Sequence, residues 1–159
     1  MNKIIIIKSP KYGNKELIVD FEDYNNIKNY HFYLMKLQNI FYAAFYYNKT
    51  NMLLHRFILN VDKKYTIDHI NHNGLDNRKC NLRICTFEEN LKNKKMYKNN
   101  TSGCKGVFFD KATKKWRTII GNDKKIISVG YFDNKIDAVM AYNKAAIKYH
   151  GEFANLNII

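Results

Sequence analysis

The stretch from Thr66 to Asn90, TIDHINHNGLDNRKCNLRICTFEEN, constrains what this chain can fold into more than any other. TIDHIN alternates as a strand does, then gives way to a polar loop, NHNGLDNRKCN, built from residues that favour turns. LRICT returns as a second strand. Thr86 to Glu89 then read as T-x-x-E, a capping box: the Thr86 hydroxyl accepts from an early helical N–H while Glu89 reaches back to the cap. The expected order is strand, loop, strand, helix. It brings four side chains within reach of one another: Asp68 and His69 from the first strand, Asn81 from the far end of the loop, and Asn90 from the first turns of the helix.

A carboxylate, an imidazole and two carboxamides are the parts needed to cut a phosphodiester bond around one divalent cation. Hydrolysis needs an activated water, neutralised phosphate charge and a stabilised leaving oxygen, and a hard cation anchored by oxygen ligands supplies the last two. Asp68 is the expected anchor and Asn90 the second ligand. So small a protein donor set suits Mg2+, with Mn2+ as the alternative, because Mg2+ keeps several waters and takes phosphate oxygens. His69 is the expected general base, with Asn81 orienting it by hydrogen bonding. Each of these residues is common by itself; the joint spacing carries the signal.

The flanking segments read differently. Residues 1 to 50 alternate and are rich in aromatics, with KELIVDF, HFYLMKL and NIFYAAFYYNK as short strands, Ile4 to Ile7 as another, and a helix over Asp23 to Asn29. They form a small sheet that supports the segment beyond position 50. In residues 51 to 95, LLHRFILN is a short helix with Leu54, Phe57 and Ile58 on one side, preceding the strand–loop–strand–helix unit. Residues 96 to 102 belong to a basic, Asn-rich linker, either a helix tail or a flexible tether. Residues 103 to 159 give three strands and one helix, started by Asn134 as N-cap and ended by Gly151, with alanines at 138, 141, 145 and 146 that let the helix lie close on a sheet. Period-two alternation puts Trp116, Thr118 and Ile120 under that helix and leaves Arg117 and Ile119 on the open face.

Charge indicates the partner. Lys and Arg number 27 against 14 acids, a formal +13, and the 46% apolar fraction is enough to bury a core. Residues 92 to 125 hold ten lysines and Arg117 against Asp110 and Asp123, a surplus of nine. Such a concentration suits a polyanion, double-stranded DNA above all. No apolar run is long enough for a membrane span or a signal peptide, so an intracellular site of action, cytoplasm or nucleus, is expected rather than secretion or a membrane. Cys80, Cys85 and Cys104 are read as idle thiols, and no structural zinc is expected from a C-x4-C pair without a second.

These motifs resemble two known families. LHRFILN, DHINHNGLDNR, NLR and the closing Glu89-Asn90 resemble HNH nucleases, specifically the homing endonucleases of phages and other mobile DNA. The resemblance implies a ββα-metal fold and a metal-dependent DNase that nicks or cuts both strands, with Asp68 and Asn90 on the metal and His69 and Asn81 as catalytic residues. His55, in LHR, also matches and is read as supporting the site. His72 stands where many relatives have Gly, near the site; it is read as an exposed loop histidine, with contact to DNA or metal as the other reading. Arg56, Arg78 and Arg83 are phosphate contacts or simple surface residues.

The run SGCKGVFFD, KWRTII, VGYFD and DAVMAYNKAAIKYHGEFANLN looks like the Apetala-two/ethylene-response-factor DNA-binding domain, which also occurs fused to phage HNH nucleases. There a three-stranded sheet lies in the major groove. The resemblance implies groove-facing positions at Lys105, Phe108, Asp110, Arg117, Ile119 and Ser128, with Lys111, Lys114, Lys115, Lys124 and Lys125 in the turns holding phosphates. The expected fold is α+β: a small N-terminal sheet and a ββα-metal nuclease, then a three-stranded antiparallel sheet packed on one helix. A monomer is expected, with a dimer as the alternative. Two other functions remain open: a DNA-binding regulator with an inactive HNH domain, and a structural RNA-binding protein.

Overall fold

Short alternating strands separated by Asn, Lys and Gly turns produce small antiparallel sheets rather than one large one. A computed structural model describes residues 1–96, 99–123 and 125–159, so Tyr97 and Lys98 of the expected linker and the expected phosphate contact Lys124 lie outside the described residues. The fold is α+β and divides into two compact units, Met1–Thr86 and Phe87–Ile159.

In the first unit, β1 (Asn2–Ile7) and β2 (Lys15–Asp20) form a hairpin in which Ile7 pairs with Lys15 and Asn2 with Asp20. Alternation decides the faces: Ile7, Leu17 and Val19 are buried while Ile4 and Ile6 stay exposed. The first helix, α1, covers Phe21–Ile27, beginning two residues before the expected Asp23. A three-stranded meander follows, β3 (Tyr33–Leu37), β4 (Ile40–Tyr47) and β5 (Thr50–Leu53), with β4 central. Both connections are two-residue turns with positive φ at both positions, Gln38-Asn39 and Asn48-Lys49. That geometry follows the right-handed twist of the flanking strands.

The next helix, α2 (Leu54–Leu59), ends where Asn60 adopts a left-handed conformation. It lays Leu54, Phe57 and Ile58 on a core shared with Ile7, Leu17, Val19, Ile27, Phe45 and Leu75. Residues on both sides of position 50 therefore share one core. Tyr30, Phe45, Tyr47 and Phe57 stack through it, the Phe45–Phe57 pair edge to face at 5.2 Å. Such ring pairs add to the stabilisation that burial alone supplies. Strands β6 (Thr66–His69) and β7 (Leu82–Cys85) form the expected pair, joined by a long loop that closes with a 3-10 turn at Lys79–Asn81.

The second unit opens with α3 (Phe87–Lys92), which starts directly after Thr86, where the capping box puts it. Its sheet comprises β8 (Val107–Asp110), β9 (Lys115–Asn122) and β10 (Lys125–Phe132), with β9 central. One face packs on α4 (Lys135–His150). The helix is capped as its sequence foretells, the Asn134 Oδ1 accepting from the Asp137 N–H at 2.8 Å. Ala138, Val139, Tyr142, Ala145 and Ala146 meet Val107 and Ile120 in the core, and the Thr118 hydroxyl donates to the Ala138 carbonyl at 3.0 Å. Gly106, at φ +71°, has the Tyr142 ring and the Ile119 carbonyl where a Cβ would stand, so the strand can start there only with glycine. Among the described residues no helix is long and apolar enough to cross a membrane.

Candidate functional site

The β6–β7 pair places Asp68 directly opposite Arg83 and His69 opposite Leu82. Asp68 is only 6% exposed, and a carboxylate buried so deeply needs compensation. Arg83 supplies it with two hydrogen bonds to one oxygen, Nε at 2.8 Å and Nη2 at 2.6 Å from Asp68 Oδ2. The carboxylate offers about four acceptor directions in all. The pairing depends on the register of two strands joined by a loop, which spacing alone does not reveal.

His69 is buried in a cluster of three rings. Its centroid lies 5.1 Å from that of His55 and 5.8 Å from that of Tyr42, and Tyr42 and His55 are 5.6 Å apart. His55 comes from α2 and Tyr42 from β4, so the core carries both to β6. Burial lowers the His55 pKa to about 3, with smaller contributions in the same direction from His69 and Arg56. The His69 pKa is also lowered by burial, partly offset by the Asn77 carboxamide and by the charges of Asp68 and Asp76. Burial, and then the Asp68 charge, raise the Tyr42 phenol pKa. Both imidazoles are therefore neutral at pH 7, and His55 packs against His69. Tyr42 carries no signal in the sequence, because it lies 27 residues before His69 and only the tertiary fold brings it near.

The loop after His69 is ordered by side chains acting in place of a backbone ladder. Asp76, almost fully buried, is its hub: Arg78 Nε and Nη2 donate to its two oxygens at 2.7 and 2.6 Å, and Asn71 Nδ2 adds a third bond at 2.8 Å. Hydrogen bonding from Arg78 accordingly holds the Asp76 carboxyl below the usual range. Asn81 completes the staple, its Oδ1 accepting from the Asn71 N–H at 3.0 Å and its Nδ2 donating to the Asp76 carbonyl at 2.7 Å. The carboxamide expected to orient His69 is thus committed to the loop, and Asn77 is the one whose polar side chain acts on the His69 ring. Sequence spacing does not distinguish these two asparagines, because both flank the same turn. His72 has φ +61°, a conformation that favours glycine and accounts for the Gly that the resemblance puts at this position.

The three arginines expected on phosphate are engaged within the first unit. Arg78 holds Asp76, Arg83 holds Asp68, and Arg56 Nη2 donates to the Tyr65 carbonyl at 3.0 Å. Asn90 lies on α3, in the second unit, so the expected strand–loop–strand–helix run passes from one unit to the other after Thr86. Cys80 is exposed and Cys85 buried on β7. Among the described residues no group of three or more His, Cys, Asp or Glu side chains is placed to hold a metal ion. The Asp68 carboxylate, beside His69 on β6, is nonetheless a hard oxygen donor of the kind Mg2+ takes, so it fits as an anchor for such an ion.

On the second unit's open face, register aligns Phe108, Arg117 and Tyr131 across the three strands, with Ile119 beside Ser128. The Arg117 guanidinium is 5.6 Å from both the Phe108 and the Tyr131 ring centroids, and its Nε has no hydrogen-bond partner among the described residues. Trp116 faces the helix side and packs edge-on against Phe109 at 5.3 Å, as alternation predicts. Asp110 folds back on its own turn, accepting from the Ala112 and Thr113 N–H groups at 2.9 and 3.1 Å. Lys111, Lys114 and Lys125 are exposed, and Lys115 pairs with Asp133 at 3.1 Å. Lys105 does something else: its ammonium donates to the Lys92 and Lys94 carbonyls at 2.8 and 2.7 Å, and burial lowers its pKa to about 8.

Fold and site together define an α+β protein with a buried acid–imidazole cluster in one unit and an arginine-bearing sheet in the other. The chain is 34% identical over 94 residues to Protein 3.8 of Escherichia phage T7, a match covering 59% of this chain and 77% of that protein. The chain belongs to the family of that phage protein. No protein-family model and no solved structure matches it.

Proposed function

We propose that this chain is a metal-dependent DNA endonuclease of the HNH type, delivered to duplex DNA by the open sheet of its second unit. The observation that carries the reading is the pairing on β6 of a buried carboxylate, Asp68, with a neutral imidazole, His69. Asp68 would anchor Mg2+ or Mn2+, which when bound supplies positive charge at the phosphate and the leaving oxygen. His69, uncharged at neutral pH, is able to take a proton from water. Asn77 acts on its ring from the loop, while the His55 and Tyr42 rings pack against it. Asn81 acts one step further out, by fixing the loop that carries Asn77. On the second unit, Arg117 offers guanidinium donors of the kind that read guanine edges, and the exposed turn lysines suit phosphates. A phage-encoded relative accords with a mobile-DNA nuclease.

Plasmid cleavage with Mg2+ tests the proposal, comparing the wild type with His69→Ala. Cleavage should fall by about 10²–10⁴-fold, the usual contribution of a general base, while duplex binding is retained. If the two proteins are equally inert yet still bind DNA, the chain is a DNA-binding regulator instead.

A further inference from the structure

The Asp68–Arg83 pair raises a question that the proposed reaction leaves open. A residue expected to anchor a divalent cation already has a cation of its own. The two groups face each other across β6 and β7, their side chains are 6% and 12% exposed, and Arg83 Nε and Nη2 each donate to Asp68 Oδ2. Directed charge-assisted bonds of this length in a desolvated place are the strong kind. Any ion approaching Asp68 must share or displace them.

We infer that Arg83 is a built-in counter-ion that competes with the divalent cation for Asp68, an inference that rests on the metal-dependent reading above. Its first consequence is selectivity. A monovalent ion brings Asp68 no more charge than the guanidinium does and lacks its directed N–H bonds, so Na+ and K+ do not displace it. A divalent ion brings twice the charge. Its second consequence is structural: with Arg83 in place the buried carboxylate is compensated whether or not a metal is bound, so the β6–β7 pair does not need the ion in order to fold.

The test measures binding of Mn2+ alone, without DNA, by calorimetry and by the loss of free-ion paramagnetic resonance signal. Removing the competitor in R83M should tighten Mn2+ binding by on the order of tenfold, the equivalent of one hydrogen bond to a charged group. R83K, which keeps the charge but loses the fork, should fall between R83M and the wild type. Mn2+ should also raise the melting temperature of R83M more than that of the wild type, and the double variant D68N/R83M should show no Mn2+ response. If R83M does not fold without metal, rescue by Mn2+ supports the inference, and otherwise R83K decides it. Mn2+ binding that is unchanged or weakened in R83M and R83K relative to the wild type overturns the competition and leaves the metal site intact. Absence of Mn2+ binding in all of them overturns both.

Discussion

The two units handle positive charge in opposite ways. In Met1–Thr86, Arg78 and Arg83 are turned inward, each neutralising a carboxylate that is 2% and 6% exposed, respectively. In Phe87–Ile159, Arg117 lies between two rings on the open face, and Lys115 meets Asp133 where both are well exposed. The first arrangement spends arginine on building a rigid acid-lined interior. The second keeps cations available at the surface. This division shows why a surplus of +13 cannot be read as a uniform binding surface.

The contrast is open to direct attack. Its sharpest form concerns ion pairs. Arg78→Met leaves Asp76 buried without its main partner and should cost about 3–5 kcal/mol, as breaking buried pairs does, whereas Lys115→Met should cost no more than about 1 kcal/mol. Urea titration of both variants checks this, and similar losses would erase the distinction between the units. Next comes recognition. Arg117→Ala should weaken duplex DNA binding by about 1–3 kcal/mol at fixed salt, the range for one base-reading arginine. Unchanged affinity in a competition assay would remove the open face from the DNA contact.

The effect that is smallest within a single pH unit is on pH dependence. The His55 pKa is held at about 3 when folded, against 6.5 as its ordinary value. Below pH 6.5 the unfolded chain binds a proton that the folded chain refuses. Stability from this group is therefore complete above 6.5 and declines as pH falls toward 3, by about 1.4 kcal/mol per pH unit. His69, and His150 in the second unit, have pKa values lowered in the same direction. His55→Leu should therefore flatten the stability–pH curve between pH 6.5 and 5 without abolishing its slope. A curve of unchanged steepness would mean that His55 is not held neutral by the fold.

Local patterns were legible in the sequence because local chemistry fixes them. Asn134 and Gly151 bound α4, Thr86 precedes α3, and alternation separates Trp116 from Arg117, all within a few residues of backbone. Partnerships across the fold were not legible. The commitment of Asn81 to the loop, the approach of Tyr42 to His69 and the engagement of Lys105 with two carbonyls each depend on how distant segments meet. Asp76 carried a faint signal, an acid two residues before Arg78 in a turn-rich loop. Its burial gives that pair its importance, and burial is a property of the folded chain.

The loop around Asp76 is also tied to β2: Ile18 donates to the Leu75 carbonyl at 2.9 Å, and its own carbonyl accepts from Asn77 at 2.8 Å. A backbone splice of this kind sets the smallest transplantable piece of the first unit. A fragment starting at residue 51 would carry every residue of the motif, yet it would lack the strand on which the loop and Asn77 are hung. Grafting the cluster onto another scaffold, or recombining it with a different recognition sheet, would have to move residues 1–86 as one block.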